Sequence, residues 1–172
     1  QRQGIKHCMD QQHTIDDADF GAAVRAAYAG GRFETIRVGY SIKGPIYEYD
    51  INSAYPRAML ELPNLATGYW TTHLNDPGYH HFALYHITFV AEDEEVSDEW
   101  HNPFPLYHRS PQSLIFYPPW VSGWFWSPEY AVVKEFVDKH GGSIIIDKAY
   151  VYHDDGERPF DFVSDMYAER QR

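Results

Sequence analysis

Tyr49-Asp50-Ile51-Asn52-Ser53-Ala54-Tyr55-Pro56 carries the chain from a strand into a helix within three residues. Ile46 to Ile51 is apolar and aromatic enough for a strand, and it delivers Asp50 at its end. Ser53 is a good N-cap for a short helix reaching about Leu62. Pro56 is tolerated in the first turn, where its missing N–H has no intrahelical partner to lose. A carboxylate at this junction is a hard oxygen ligand of the kind Mg²⁺ takes. The exposed N–H groups that open a helix suit phosphate oxygens. A metal ligand beside a phosphate cradle is what phosphoryl transfer requires, because catalysis there is mostly positioning and charge neutralisation. Tyr55 can place its ring beneath a bound sugar. Spacing by itself favours a plainer alternative, in which Asp50 helps to cap the helix and Tyr55 packs in the core.

On the N-terminal side, Asp16 to Tyr28 reads as a helix. Acidic residues sit at its start and Phe20, Val24 and Tyr28 recur on one face, before Gly30-Gly31 ends it. Phe33 to Val38 reads as a strand, joined to Ile46–Ile51 by a loop containing Gly39, Gly44 and Pro45. Phe82 to Ala91 alternates as a strand. Residues 100 to 125, crowded with Pro, Trp and Tyr, read as irregular loops with short strands such as Ser113 to Tyr117. Ser127-Pro128-Glu129 opens a helix that Gly141-Gly142 stops after His140. Ser143 to Tyr152 reads as a strand and Phe160 to Arg170 as a last helix. The pattern is α+β, without the regular alternation of a parallel doubly wound sheet.

The 172 residues have a mass of 20.0 kDa and are 44% hydrophobic, with 5 Trp, 14 Tyr and 10 Phe, which describes a folded chain able to bury one core. The formal net charge is -11, which argues against a free-standing nucleic-acid binder. The acidity is uneven. Residues 1–45 hold 6 basic and 5 acidic side chains, residues 46–127 hold 2 and 10, and residues 128–172 hold 6 and 10. The run Glu92-Asp93-Glu94-Glu95 reads as a solvated loop. Cys8 is the only cysteine, so no internal disulfide framework exists, in keeping with a reducing compartment. No apolar run approaches the length of a membrane span. Gln1-Arg2-Gln3-Gly4 lacks the pattern of a secretory signal.

The segment Asp50 to Pro56 resembles the first palm motif of family B DNA polymerases, D-x-x-S-x-Y-P. Its Asn52 and Ala54 variants are closest to the protein-primed enzymes of phages and linear plasmids. Upstream, Tyr28-Ala29-Gly30-Gly31-Arg32 is similar to the Y-x-G-G motif between the exonuclease and polymerase domains of that subgroup. The likeness continues more loosely through Leu84 to Ala91, Pro103-Phe104-Pro105, Gly123-Trp124-Phe125, Pro128-Glu129 and Pro159-Phe160, so it covers most of the chain from about Asp16.

The resemblance implies a partial polymerase palm with mixed or antiparallel strands, flanking helices and a loop-rich insertion. It implies a segment 1–32 leading from the exonuclease side, a first palm portion 33–65, an insertion 66–122 that meets duplex and priming protein, and a palm continuation 123–172. It makes Asp50 one of two carboxylates holding two Mg²⁺ ions, with the Ile51 carbonyl as a further ligand. Asn52, Ser53, Ala54 and Tyr55 would hold the triphosphate, and Tyr55 would exclude ribonucleotides by crowding the 2′-hydroxyl. Tyr28, Gly30, Gly31 and Arg32 would grip template strand. The implied partners are DNA template-primer, deoxynucleoside triphosphates (dNTPs) and a priming terminal protein, in the cytoplasm of a bacterial or phage-infected cell, with no membrane. The family's second carboxylate motif, Y-x-D-T-D, and its K-x-x-x-N-x-x-Y-G helix are not in the sequence. The chain is therefore expected to be a fragment, inactive alone. Rival functions are a catalytically silent module that binds a protein partner, and a metal-dependent nuclease pairing Asp50 with a carboxylate such as Asp147.

Three features invite other readings. Tyr152-His153-Asp154-Asp155 has the Y-x-D-D form of the reverse-transcriptase hairpin, but Gly156-Glu157-Arg158-Pro159 follows where an apolar return strand is needed, so a surface turn is expected. His7, Cys8 and His13, or His80, His81 and His86, lack the spacing of a four-ligand zinc site. Trp120, Trp124, Phe125 and Trp126 suit packing better than base stacking.

Overall fold

The computed structural model describes residues 18–28, 44–45, 54–65, 67–92, 104–110, 115–154 and 156–170. In chain order these form α1 (Phe20–Ala27), α2 (Ala54–Met59), β1 (Tyr69–His73), β2 (Ala83–Val90), β3 (His108–Arg109), β4 (Ile115–Phe116), β5 (Trp120–Trp126), α3 (Ser127–His140), β6 (Ser143–His153) and α4 (Phe162–Arg170). The fold is α+β. Of the described residues, those within 44–69 and 153–170 gather in one compact unit, and those within 18–28 and 70–152 in another.

The larger unit is organised by β2. Its alternate residues Ala83, Tyr85, Ile87 and Phe89 are fully buried on one face of a sheet ordered β1-β6-β2-β5. Both neighbours of β2 run antiparallel to it. α3 covers that face with Tyr130, Val133 and Phe136: the Tyr85 and Tyr130 rings stack at 4.4 Å, and Phe136 meets Phe89 edge-on at 5.6 Å. Each such side chain, once buried, contributes about 1.5–3 kcal/mol of transfer free energy. The Ser127 hydroxyl, itself buried, accepts a hydrogen bond from the Ala83 N–H (2.8 Å) and donates one to the Ala83 carbonyl (3.1 Å). One side chain thus ties the start of α3 to the start of β2 and satisfies both backbone groups, which would otherwise be buried unpaired.

α1 lies against β5 and β2, and it differs from the helix expected over Asp16–Tyr28 in length and in its buried stripe. Tyr28 already takes extended backbone and is 77% exposed. The buried positions are Phe20, Ala23 and Ala27 rather than Phe20, Val24 and Tyr28. Small residues at 23 and 27 let the helix approach closely, while Phe20 fits between Trp70 (4.8 Å) and Tyr150 (5.0 Å). The second difference is β5. Trp120–Trp126 is not irregular but pairs with β2 through seven residues, from Leu84 opposite Trp126 to Val90 opposite Trp120. The packing expected of the Trp-rich cluster holds for Phe125, buried in the core, and for Trp124, stacked on Tyr150 at 5.3 Å. Trp120 is 58% exposed. The strands expected over 33–38 and 46–51 lie outside the described residues.

Tyr130 anchors the loop before β2 as well as the core. Its hydroxyl donates to the Asp76 carboxylate (3.1 Å), and the Tyr85 hydroxyl donates to the Gly78 carbonyl (3.0 Å). Burial, with the neighbouring Asp76 charge adding to it, pushes the Tyr130 phenol up to about 12. Because the folded chain holds this proton more tightly than the unfolded one, the associated stability is intact below pH 10 and is lost as pH rises from 10 towards 12. Across that interval, with solvent screening of the partly accessible hydroxyl, the protein should lose about 1–2 kcal/mol more than Tyr130→Phe does. Urea melts at stepped alkaline pH measure the difference, and parallel curves for the two proteins would refute it.

Candidate active site

In the smaller unit, α2 carries the described end of the D-x-x-S-x-Y-P segment. It is a six-residue helix with Pro56 in its first turn, and none of its side chains is buried. Tyr55 is 83% exposed, so the alternative in which it packs in the core does not hold. Arg57 and Glu61 form a loose, exposed ion pair at 3.9 Å, one turn apart. A helix this short has little stability of its own. Its orientation must come from what its ends are attached to.

At its C-terminal end the attachment is visible. Two tight turns follow, Glu61 N–H to the Ala58 carbonyl and Leu62 N–H to the Met59 carbonyl, each at 3.2 Å. Pro63 and Asn64 are then buried, Asn64 to 3% exposure. Asn64 grips one residue twice: its backbone N–H donates to the Glu157 carbonyl (3.2 Å) and its Nδ2 to Glu157 Oε2 (2.7 Å). The Asn64 carbonyl in turn accepts from Thr67 N–H (3.3 Å) and Gly68 N–H (3.5 Å).

Glu157 belongs to the turn that follows Tyr152-His153-Asp154-Asp155. Asp154 Oδ1 accepts the Gly156 N–H at 2.8 Å, and Oδ2 accepts Arg158 Nη1 at 2.7 Å. Arg158 Nη1 also reaches the Glu157 carbonyl at 3.0 Å. Gly156, at φ 88, supplies the left-handed step. Tyr152 and His153 still belong to β6, with Tyr152 buried, so the surface turn expected over 152–155 starts later, after His153, and the Asp154 carboxylate is committed to holding it together. Asp155 lies outside the described residues.

Among the other candidate residues, Ala54 and Tyr55 open α2, and Tyr28 stands exposed at the end of α1 in the larger unit. Asp50, Ile51, Asn52, Ser53, Gly30, Gly31 and Arg32 lie outside the described residues, as do His7, Cys8 and His13. Asp147, the carboxylate considered for a nuclease, occupies a bulge in β6 opposite the step from His86 to Ile87. Its Oδ1 lies 2.7 Å from His86 Nδ1, with the imidazole edge-on to Trp124 at 5.1 Å. A depression of about 550 Å³ beside α1 is lined in part by Asp19, His86, Trp124, Asp147 and Lys148. Among the described residues no three His, Cys, Asp or Glu side chains gather as a metal site, His80, His81 and His86 included. Also among them, no helix is long and apolar enough to cross a membrane. Sequence reasoning did not single out Asn64 or Glu157. The only local signal was a polar residue after Pro63, in a position that proves buried.

An antiparallel sheet with helices flanking it is the α+β architecture expected of a partial polymerase palm. Residues 9–172 match the family model described as DNA polymerase type B, organellar and viral, and the chain belongs to that family. No curated protein and no solved structure is significantly similar to it.

Proposed function

We propose that the chain supplies the first catalytic motif, the dNTP-binding turn and the sugar-selecting tyrosine of a DNA-directed DNA polymerase of the protein-primed phage and plasmid type. The observation that carries this is the family match over residues 9–172, which spans the whole D-x-x-S-x-Y-P segment. The exposure of Tyr55 supports it, since a residue that selects a sugar must be reachable from solvent.

In this reading the Asp50 carboxylate and the Ile51 carbonyl are hard oxygen donors fitted to Mg²⁺. Two such ions, when bound, lower the pKa of the primer 3′-hydroxyl and neutralise the departing pyrophosphate. The N–H groups of Asn52, Ser53, Ala54 and Tyr55, with the Ser53 hydroxyl, hold the triphosphate oxygens. The Tyr55 ring fills the space a 2′-hydroxyl would need. Tyr28 packs on template strand while Gly30 and Gly31 let backbone approach phosphate, and Arg32 pairs with that phosphate. Residues 1–32 lead in from the exonuclease side, 33–65 and 123–172 belong to the palm, and 66–122 form the insertion that meets duplex and terminal protein. Because these residues carry one of the two carboxylate motifs, they do not polymerise by themselves.

Primer extension by the complete polymerase tests the assignment. The wild type extends with dNTPs and Mg²⁺, and Tyr55→Ala admits ribonucleotides about 100-fold more readily. A complete protein that does not extend primers, or a Tyr55→Ala enzyme with unchanged sugar preference, overturns it.

A further inference from the structure

We infer that Asn64 is a positioning residue for Tyr55: its two-point grip on Glu157 sets the orientation of α2 and thereby the discrimination between deoxy and ribo sugars. This rests on the reading of Tyr55 given above, and it assigns a role to two residues outside the D-x-x-S-x-Y-P segment.

The α2 helix has six residues and buries none of them, so neither intrinsic helical stability nor packing of its own side chains fixes its direction. Only four residues separate its last position, Met59, from Asn64, and two of the intervening peptides are locked in tight turns. The first firmly held point after the helix is therefore Asn64. Its amide side chain is almost completely buried, where an unmade hydrogen bond is expensive, and its Nδ2 is directed at Glu157 Oε2 at 2.7 Å. A side-chain and a backbone hydrogen bond to the same residue fix orientation as well as distance.

The partner is equally well held. Glu157 sits between Gly156, whose N–H is bound by Asp154, and Arg158, whose guanidinium bridges Asp154 and the Glu157 carbonyl. The turn that imitates a catalytic Y-x-D-D hairpin thus serves as the socket for α2. A contact between residues 93 positions apart brings the tyrosine's helix and this turn into one structural unit.

The test is the ratio of ribonucleotide to deoxynucleotide incorporation by the complete polymerase. A uniformly weakened fold lowers both rates together and leaves this ratio alone. Asn64→Asp keeps the size but sets a carboxylate against the Glu157 carboxylate, and it should raise the ratio about tenfold. Adding Glu157→Gln restores a donor and an acceptor with their places exchanged, and it should return the ratio to near the wild-type value. Glu157→Ala, an exposed truncation that leaves the backbone bond in place, should give a smaller rise, and it decides the matter if Asn64→Asp does not fold. Ratios that stay at the wild-type value in Asn64→Asp or Glu157→Ala, or no recovery in the double variant, overturn the inference. Tyr55→Ala separates the two failures. If it relaxes sugar choice while the Asn64 and Glu157 variants do not, only the positioning role falls; if Tyr55→Ala itself changes nothing, the reading of Tyr55 falls.

Discussion

Primer extension by the complete polymerase is expected to fall about 1,000-fold or more in Asp50→Ala, because the metal site proposed there would supply several kcal/mol of transition-state stabilisation. In Asp155→Ala it is expected to stay near the wild-type rate. The contrast matters because the chain offers two aspartate-bearing motifs that look like polymerase metal sites. A metal-binding carboxylate must turn its lone pairs to the cation. Those of Asp154 are already turned elsewhere, one oxygen to the Gly156 N–H and the other to the Arg158 guanidinium. A turn built this way, with Gly156 in the left-handed region immediately after it, does not continue into the return strand a catalytic hairpin needs. Asp50 stands where a strand is expected to hand over to the helix carrying the exposed Tyr55. Asp50→Asn, which keeps the shape and removes the charge, should be nearly as inactive as Asp50→Ala, with DNA affinity changed far less than the rate. Single-turnover extension with a filter-binding control measures both. Extension surviving in Asp50→Ala and lost in Asp155→Ala would move the metal site to the turn and refute the assignment.

Which parts of this molecule could be read from sequence follows from how local their causes are. α3 was legible to the residue because Ser127-Pro128-Glu129 and Gly141-Gly142 act on the backbone where they stand. β2 was legible because a face buried by a neighbouring layer imprints alternation on the strand itself. α1 was placed correctly but its buried stripe was misread. Ala23 and Ala27 weigh little in an apolar pattern, yet they are what close approach to a sheet requires, while the bulkier Val24 and Tyr28 drew attention away. β5 was missed for a nonlocal reason. Pro118 and Pro119 precede it, Gly123 interrupts it, and its Trp residues hide the alternation, so only the seven-residue register with β2 defines it as a strand. The candidate site divides in the same way. Asp50 and Tyr55 are proposed on the order of motifs, since spacing alone favours a plain capped helix. Asn64 and Glu157 were not found, because nothing within a few residues of either marks a partner on the other side of the sequence.

Among alanine substitutions at the glycines within the described residues, Gly142→Ala should be the most damaging to folding. α3 ends when the Gly141 N–H donates to the Val137 carbonyl at 2.9 Å, and Gly142 then turns the chain into β6 at φ 114. An L-residue in that region carries strain of about 1–3 kcal/mol. Space is the second difficulty: a Cβ on Gly142 would lie 2.5 Å from the Val90 carbonyl oxygen and 3.2 Å from both Ala91 Cα and Glu92 N. These are backbone atoms at the end of the central strand, so relief requires shifting β2 or β6, and overpacking of this kind costs a further 1–3 kcal/mol or so. A total near 3–5 kcal/mol should lower the melting midpoint by roughly 10 °C in a chain of this size. Gly156→Ala provides the control, since its φ of 88 brings comparable strain while nothing lies within 4 Å of the added Cβ. Thermal melts of the two variants should therefore differ by the steric part alone, with Gly142→Ala the lower. Equal midpoints would mean that the end of β2 yields freely, and that the close approach of the two strands at Val90 and Gly142 is not a constraint on the fold.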